Sequence, residues 1–229
     1  VCLLERFTNE KYIEMVVKHK ADNLFGAPTM YHMLANSDDI DPKAFSHVKS
    51  ALCGGAPLLP AVAQRFEERF GIPLIQTYGS TEAGPIAGGS AQDVRKGLHK
   101  PGSVGRLYPG VKVRIVDEND NDVPTGETGE IIAQSPNMMK EYLNLPSDAN
   151  VREGWSYTGD VGYIDNEGYI FITGRKRSLI IVGGFNVYPA ELENVIAQHP
   201  AIAEVVVVRI PDERLVEVPK AYVVLRQGH

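Results

Sequence analysis

Gly154-Trp155-Ser156-Tyr157-Thr158-Gly159-Asp160, then Gly174-Arg175-Lys176-Arg177, then Gly183-Gly184-Phe185-Asn186-Val187-Tyr188-Pro189-Ala190-Glu191-Leu192-Glu193: the reading of this chain turns on these three strings. Between the first two, Val161 to Asp165 alternate, Asp165-Asn166-Glu167-Gly168 make a turn, and Tyr169 to Thr173 return, which is the pattern of a β-hairpin. Such a hairpin brings Asp160, in a Thr-Gly-Asp turn that opens the first strand, close to Arg175 at the end of the second. A carboxylate that accepts and a guanidinium that donates at one rim suit a sugar diol. The same two residues also suit a plain surface ion pair at strand ends.

Upstream, strands and helices alternate. Val1 to Leu4 reads as a buried strand. Thr8 or Asn9 caps a helix with the apolar face Tyr12, Ile13, Val16 and Val17. Asn23 to Ala27 reads as a strand, and Pro28 opens a second helix that carries His32, a residue that fits a core position or a ligand. Val48 to Cys53 is a third strand, Leu59 to Phe70 a helix stopped at Gly71, and Pro73 to Gln76 a fourth strand. This order predicts a parallel α/β layer, whose ligands bind beyond the carboxyl ends of the strands. Two segments fall there. In Gly54-Gly55-Ala56-Pro57-Leu58 the glycines let backbone amides approach a flat ring, although a tight turn set by Pro57 and Pro60 explains them too. In Thr77-Tyr78-Gly79-Ser80-Thr81-Glu82, read as a polar strand-end turn, Tyr78 offers a ring face, Thr81 a hydroxyl for a phosphate oxygen, and Glu82 a hard oxygen for Mg²⁺.

These strings together closely resemble the signature of the adenylate-forming superfamily, which holds acyl-CoA synthetases, luciferases and peptide-synthetase adenylation domains. The match over Gly154 to Arg177 is most similar to the fatty-acyl-CoA synthetases, as are Gly184-Phe185-Asn186 and the aliphatic Ile181 where many relatives carry Lys. Thr77 to Glu82 resembles the family's Tyr-Gly-x-Thr-Glu motif. The resemblance implies catalytic roles for Thr81 and Glu82, with Glu82 as the metal ligand. It implies nucleotide contacts by Gly54, Gly55, Ala56, Pro57, Tyr78, Gly79, Thr81, Asp160 (on the ribose) and Arg175. It implies an acyl pocket near Ala83 and Gly84, a hinge at Arg177, and a pantetheine tunnel bordered by Gly183 and Gly184. The implied reaction takes ATP, Mg²⁺ and CoA: a carboxylic acid, of the medium- or long-chain fatty type, becomes an acyl-adenylate with loss of pyrophosphate, and CoA then displaces AMP.

Downstream of the α/β layer (residues 1–92), Gly88-Gly89-Ser90 reads as a flexible loop with no Lys at phosphate-loop spacing, and Asp93 to Lys100 as a polar connector with a solvated His99. A small β-barrel is expected over about 102–174. Within it, Val111 to Asp117 and Gly129 to Gln134 are strands, and Glu118 to Asp122 is a solvated tip that lacks the spacing of an EF-hand. The large domain is thus 1–174. After Arg177 comes a small α+β lobe, 175–229, with a strand from Ser178 to Val182, a helix from Pro189 to Gln198, and β-type runs at Ile202–Val208 and Ala221–Leu225. Lys220 reads as a solvated charge at the start of the last run.

Composition bounds the function. A net charge of −6 supplies no basic field for nucleic acid or an anionic membrane, and leaves room only for peripheral membrane contact. Two cysteines, Cys2 and Cys53, make no disulfide framework and suit a reducing, cytoplasmic setting. No apolar run is long enough to span a bilayer. The family's Ser/Thr/Gly-rich phosphate loop and its late catalytic Lys have no counterpart here, so the chain reads as a piece of a longer enzyme, inactive by itself. A peptide-synthetase-type domain that loads a carrier protein, and a non-catalytic nucleotide-binding module, are the alternatives.

Overall fold

A computed structural model describes residues 1–96, 99–143, 151–212 and 214–226. The chain divides into two compact units, residues 1–79 with 85–108, and residues 80–84 with 109–229.

The first unit is built from α1 (Asn9–Lys18), β1 (Asn23–Gly26), α2 (Pro28–Asn36), β2 (Ser50–Cys53), α3 (Pro60–Phe70), β3 (Leu74–Ser80), β4 (Gly84–Gly88), α4 (Ala91–Arg95) and β5 (Arg106–Leu107). The sheet order is β1-β2-β3-β4-β5, with β1, β2 and β3 parallel and β5 antiparallel to β4. Parallel neighbours need crossover connections, and the α2 and α3 segments supply them. Thr8 caps α1 by accepting from the Lys11 amide, Pro28 is the first residue of α2, and α3 stops at Gly71 in the left-handed region (φ 66°). The core holds Tyr31, Leu34, Phe45 and Phe66, all at most 1% exposed. The Tyr31 and Phe66 rings meet edge-on at 5.0 Å, and the buried Tyr31 hydroxyl donates to the Leu52 carbonyl at 2.7 Å.

Four readings of this unit change. Val1 to Leu4 forms no strand, and Val1 and Leu3 are exposed: among the described residues β1 ends the sheet and this run does not pair with it. The fourth strand continues through Tyr78 to Ser80 instead of turning at Thr77, and the Thr77 hydroxyl lies 3.1 Å from the Tyr108 hydroxyl. Gly88-Gly89-Ser90 is an ordered strand end and helix cap. A Cβ on Gly105 would fall 2.2 Å from the Gly88 carbonyl carbon, so close backbone approach requires that glycine, and one on Gly88 would fall 2.0 Å from the Tyr108 hydroxyl, whose side chain packs there. Ser90 caps α4 by accepting from the Asp93 amide, which makes Asp93–Arg95 helical, and His99 is half-buried.

The second unit contains β6 (Lys112–Val116), β7 (Gly129–Gln134), β8 (Val151–Arg152), β9 (Trp155–Ile164) and β10 (Ile170–Arg175), followed by β11 (Ile180–Val182), β12 (Phe185–Val187), α5 (Pro189–Ile196), β13 (Ile202–Asp212) and β14 (Val216–Leu225). The β-barrel section is a curled half-barrel, an antiparallel sheet in the order β10-β9-β7-β6, with β8 paired to β9. Ile131, Ile132, Ala133 and Ile170 are fully buried in it. At the acidic tip, Asp117 accepts from the amides of Asn119 and Asn121 at 2.8 and 2.9 Å, which is turn chemistry. The last sheet runs β12-β11-β14-β13. Glu193 of α5 accepts from the Val207 amide of β13 at 2.8 Å. β12 is a strand absent from the sequence reading. It pairs with β11 through a two-residue turn in which Gly183 and Gly184 both have positive φ, 56° and 91°, the turn whose twist suits a tight hairpin. Lys220 lies within β14, not at its start, opposite Val208 and over the Tyr222 ring.

Candidate functional site

Two bulges shape the hairpin that carries Asp160. On the β7 side, Glu130 pairs with Val161 and Ile132 with Tyr157, so Thr158, Gly159 and Asp160 together face the single residue Ile131. On the β10 side, Gly162 pairs with Ile172 and Val161 with Gly174, leaving Thr173 as an extra residue. Bulges of this kind re-aim side chains and interrupt the ladder. The interruption is bridged by hydroxyls: Thr158 donates to the Ile131 carbonyl at 2.7 Å and accepts from the Asp160 amide at 3.1 Å, while Thr173 donates to the Val161 carbonyl at 3.1 Å. Gly159 sits at φ 70°, which admits the distortion.

The displaced register sets Asp160 directly opposite Arg175, as the hairpin reading expects. The Arg175 Nε donates to Asp160 Oδ1 at 2.8 Å. The pair is asymmetric: the Asp160 side chain is 9% exposed and that of Arg175 62%. Asp160 is therefore not the rim residue of a plain surface pair. It is a nearly buried acceptor partly covered by a long, exposed cationic side chain.

Beside this pair lies a cavity of about 600 Å³, entirely within the second unit. Thr158, Gly159 and Arg175 line it, as do Glu82, Lys176 and Arg177. The Glu82 carboxylate accepts the Tyr142 hydroxyl, and this bond above all, with the Arg175 charge adding to it, holds Glu82 below the usual carboxylate range despite partial burial. Lys176 donates to Glu130 at 2.7 Å, which raises the lysine above its ordinary value and ties the turn after β10 to β7. Further along the wall the Arg152 guanidinium lies 4.7 Å from the Tyr157 ring centroid. Loss of hydration, then the hydrogen bond with Asp120, pushes the Tyr157 phenol up.

The other candidate residues divide between the two units. In the second, Thr81 is exposed, Ala83 is buried, and Gly84 (φ 72°) presses against Asn137. Arg177 is exposed in a short 3₁₀ turn, Lys176–Ser178. In the first unit, Gly54 is buried with its amide donating to the Gly26 carbonyl at 3.2 Å, whereas Gly55, Ala56 and Pro57 are exposed. Tyr78 is only 8% exposed, so little of its ring is accessible, and Gly79 is exposed. Tyr142, Glu130, Arg152 and Tyr157 escaped the sequence reading. For Arg152 and Tyr157 a signal exists, since aromatic residues at alternate positions, Trp155 and Tyr157, stand under Arg114 and Arg152. Nothing local marks Tyr142 as a partner of a residue sixty positions away.

A divalent cation fits this donor set in one way. Among the described residues no group of three or more His, Cys, Asp or Glu could cage a metal. Mg²⁺ needs no such cage, because it takes one or two carboxylates and completes its shell with water and phosphate oxygens. Glu82, charged and on the cavity wall, is a donor of that kind.

Comparison with known proteins defines the class. Residues 1–143 match the AMP-binding enzyme family and residues 191–229 match the AMP-binding enzyme C-terminal domain. The chain belongs to the AMP-binding enzyme family. It is 39% identical over 229 residues to a long-chain-fatty-acid–CoA ligase of Bacillus subtilis strain 168, covering 99% of this chain and 40% of that protein. It is 45% identical over 176 residues to an indoleacetate–CoA ligase of Aromatoleum aromaticum, covering 76% of this chain and 34% of that one. Among solved structures, the amide bond synthetase McbA from Marinactinospora thermotolerans superposes with a TM-score of 0.90 at 34% identity, over 99% of this chain and 46% of that one. The chain thus spans about 40% of the length of the curated relatives it matches. Among the described residues no helix is long and apolar enough to cross a membrane.

Proposed function

We propose that the full-length protein carrying this chain is an AMP-forming acid–thiol ligase. It activates a medium- or long-chain fatty acid with ATP and Mg²⁺ and transfers the acyl group to CoA in the cytoplasm. The observation that carries this reading is the bulged Thr158-Gly159-Asp160 segment with Arg175 beside a cavity that Glu82 also lines. Asp160 accepts from the ribose hydroxyls. Arg175 holds the carboxylate aimed through its Nε–Oδ1 hydrogen bond, so less ordering is lost on binding. Gly55 to Pro57 and Gly79 offer backbone to the base, Gly54 with its amide tied to Gly26 sets the start of that loop, Tyr78 offers the small part of its ring left accessible, and Thr81 offers its hydroxyl to a phosphate. Glu82 would hold Mg²⁺, which when bound would supply charge neutralisation at the phosphates. Ala83 and Gly84 border the acyl chain, Gly183 and Gly184 the pantetheine arm.

The domain division proposed is 1–174 and 175–229, with Arg177 as the pivot between two arrangements for the two half-reactions. The fatty acid is favoured by the name of the Bacillus subtilis relative; an aryl acid and an amine acceptor are the outcomes the other two names suggest. The full-length protein, given ATP, Mg²⁺, CoA and a panel of acids, should release AMP and form thioester fastest with fatty acids. Adenylate formation that goes forward only with a carrier protein or an amine, and not with CoA, overturns the acceptor; no acid-dependent pyrophosphate release overturns the reading.

A further inference from the structure

We propose that Tyr142 is a positioning residue that fixes the Glu82 carboxylate on the cavity wall for the divalent cation that accompanies the nucleotide, an inference that rests on the metal-binding reading of Glu82. One short segment holds both the backbone and the side chain of Glu82. The Met139 amide donates to the Glu82 carbonyl at 2.9 Å. Asn137 seats against Gly84, where an added Cβ would meet the Asn137 Cβ at 3.0 Å and its carbonyl oxygen at 3.3 Å. The Tyr142 hydroxyl then donates to Glu82 Oε1. The segment is itself anchored just after β7, where the Asn137 amide donates to the Ser135 hydroxyl at 3.1 Å and the Met138 amide to the Ser135 carbonyl at 3.2 Å. On the other side, the Ala83 amide donates to the Ser80 hydroxyl at 3.0 Å, which shapes the turn that presents Glu82.

The chemistry comes from the inventory of a carboxylate. It has two oxygens with about four acceptor positions, and one phenol donor engages a single position while leaving capacity for a hard cation. A Glu side chain loses several rotamers when it binds, and a fixed donor removes that loss in advance. Partners that orient a metal ligand without touching the metal change affinity or activity by roughly 10- to 100-fold when removed. Phenylalanine keeps the ring and its packing and deletes only the donor, so Tyr142→Phe isolates the effect.

The test is ATP binding by calorimetry, with and without Mg²⁺, on the full-length protein and its Tyr142→Phe, Glu82→Gln and doubly substituted forms, each with its melting temperature. In Tyr142→Phe the gain in ATP affinity that Mg²⁺ brings should shrink about tenfold or more, while metal-free ATP affinity and melting temperature hold. In the Glu82→Gln background the second substitution should change nothing further, because both act on one group. Glu82→Gln losing the Mg²⁺ gain while Tyr142→Phe retains it overturns the role of Tyr142. So does a further loss in the double variant, or a drop in melting temperature together with both affinities, which makes Tyr142 a structural tether. If Glu82→Gln keeps the full Mg²⁺ gain, the metal reading of Glu82 fails first and the inference falls with it.

Discussion

Asp160 shows how a single residue gains its setting from its neighbours. It is 6% exposed, faces Arg175 in register, and receives that position from bulges on two neighbouring strands. In the full-length protein Asp160→Ala removes an acceptor of charge-assisted hydrogen bonds, about 1.5–3 kcal/mol for each. ATP affinity should fall by about 10- to 100-fold or more for each bond lost, and Asp160→Asn should recover part of it. Unchanged ATP binding in the alanine variant, measured by calorimetry, removes the ribose role. The proximity of Asp160 and Arg175 was legible because strand alternation and a Gly-containing turn fix hairpin register at short range. The bulges were not, because an extra residue such as Thr173 leaves no mark in the alternating pattern until its partner strand is known. Tyr142 was hidden for the same reason at longer range.

At the scale of elements, the helices and parallel strands of the first unit obey their local signals closely. Thr8, Pro28 and Gly71 each sit at the helix boundary that their chemistry favours. The failures have a common cause in tertiary pairing. Val1 to Leu4 is apolar enough to be a strand but has no neighbouring strand among the described residues, and β3, whose other neighbour is β4, outruns both its apolar stretch and β2, whose last residue Cys53 pairs with Gln76. Phe66 ties the elements together, touching Tyr31 of α2 at 5.0 Å and Phe70 at 4.9 Å. Phe66→Ala leaves a cavity at a fully buried position and should lower the stability of the first unit by about 3–5 kcal/mol. A urea titration tracked by far-UV circular dichroism checks this. A shift under about 1 kcal/mol would mean that the neighbouring rings collapse into the space.

At the scale of the whole molecule, the proposed two-step reaction depends on the linker after β10. Gly174 lies under the Tyr188 ring, where an added Cβ would meet Cδ1 at 3.1 Å, and Lys176 is tied to Glu130 at 2.7 Å. Just past these anchors Arg177 is exposed, in a 3₁₀ turn that spans only Lys176–Ser178. The Gly174–Tyr188 contact spans the linker and would have to open when the lobe downstream is redirected, whereas the Lys176–Glu130 pair holds the linker just before the one short turn whose dihedrals can change. Proline at 177 fixes its own φ near −65° and drives Lys176 from the helical region toward extended backbone. That is incompatible with the turn seen here, so Arg177→Pro removes one arrangement of the linker. Asp160 and Glu82 precede the linker and keep their local contacts, so adenylation should persist while transfer to CoA falls at least about tenfold. The two half-reactions are measured separately in the full-length protein, as acid-dependent pyrophosphate release and as thioester formation from preformed acyl-adenylate. Glu130→Ala serves as the companion variant, since it frees Lys176 without touching the backbone. It should alter the ratio of the half-reactions in a milder way, and its melting temperature, read alongside, separates that effect from the loss of the largely buried Glu130 carboxylate, whose side chain is 11% exposed. Equal losses in both half-reactions for Arg177→Pro, or thioester formation at the wild-type rate, take the pivot away from Arg177.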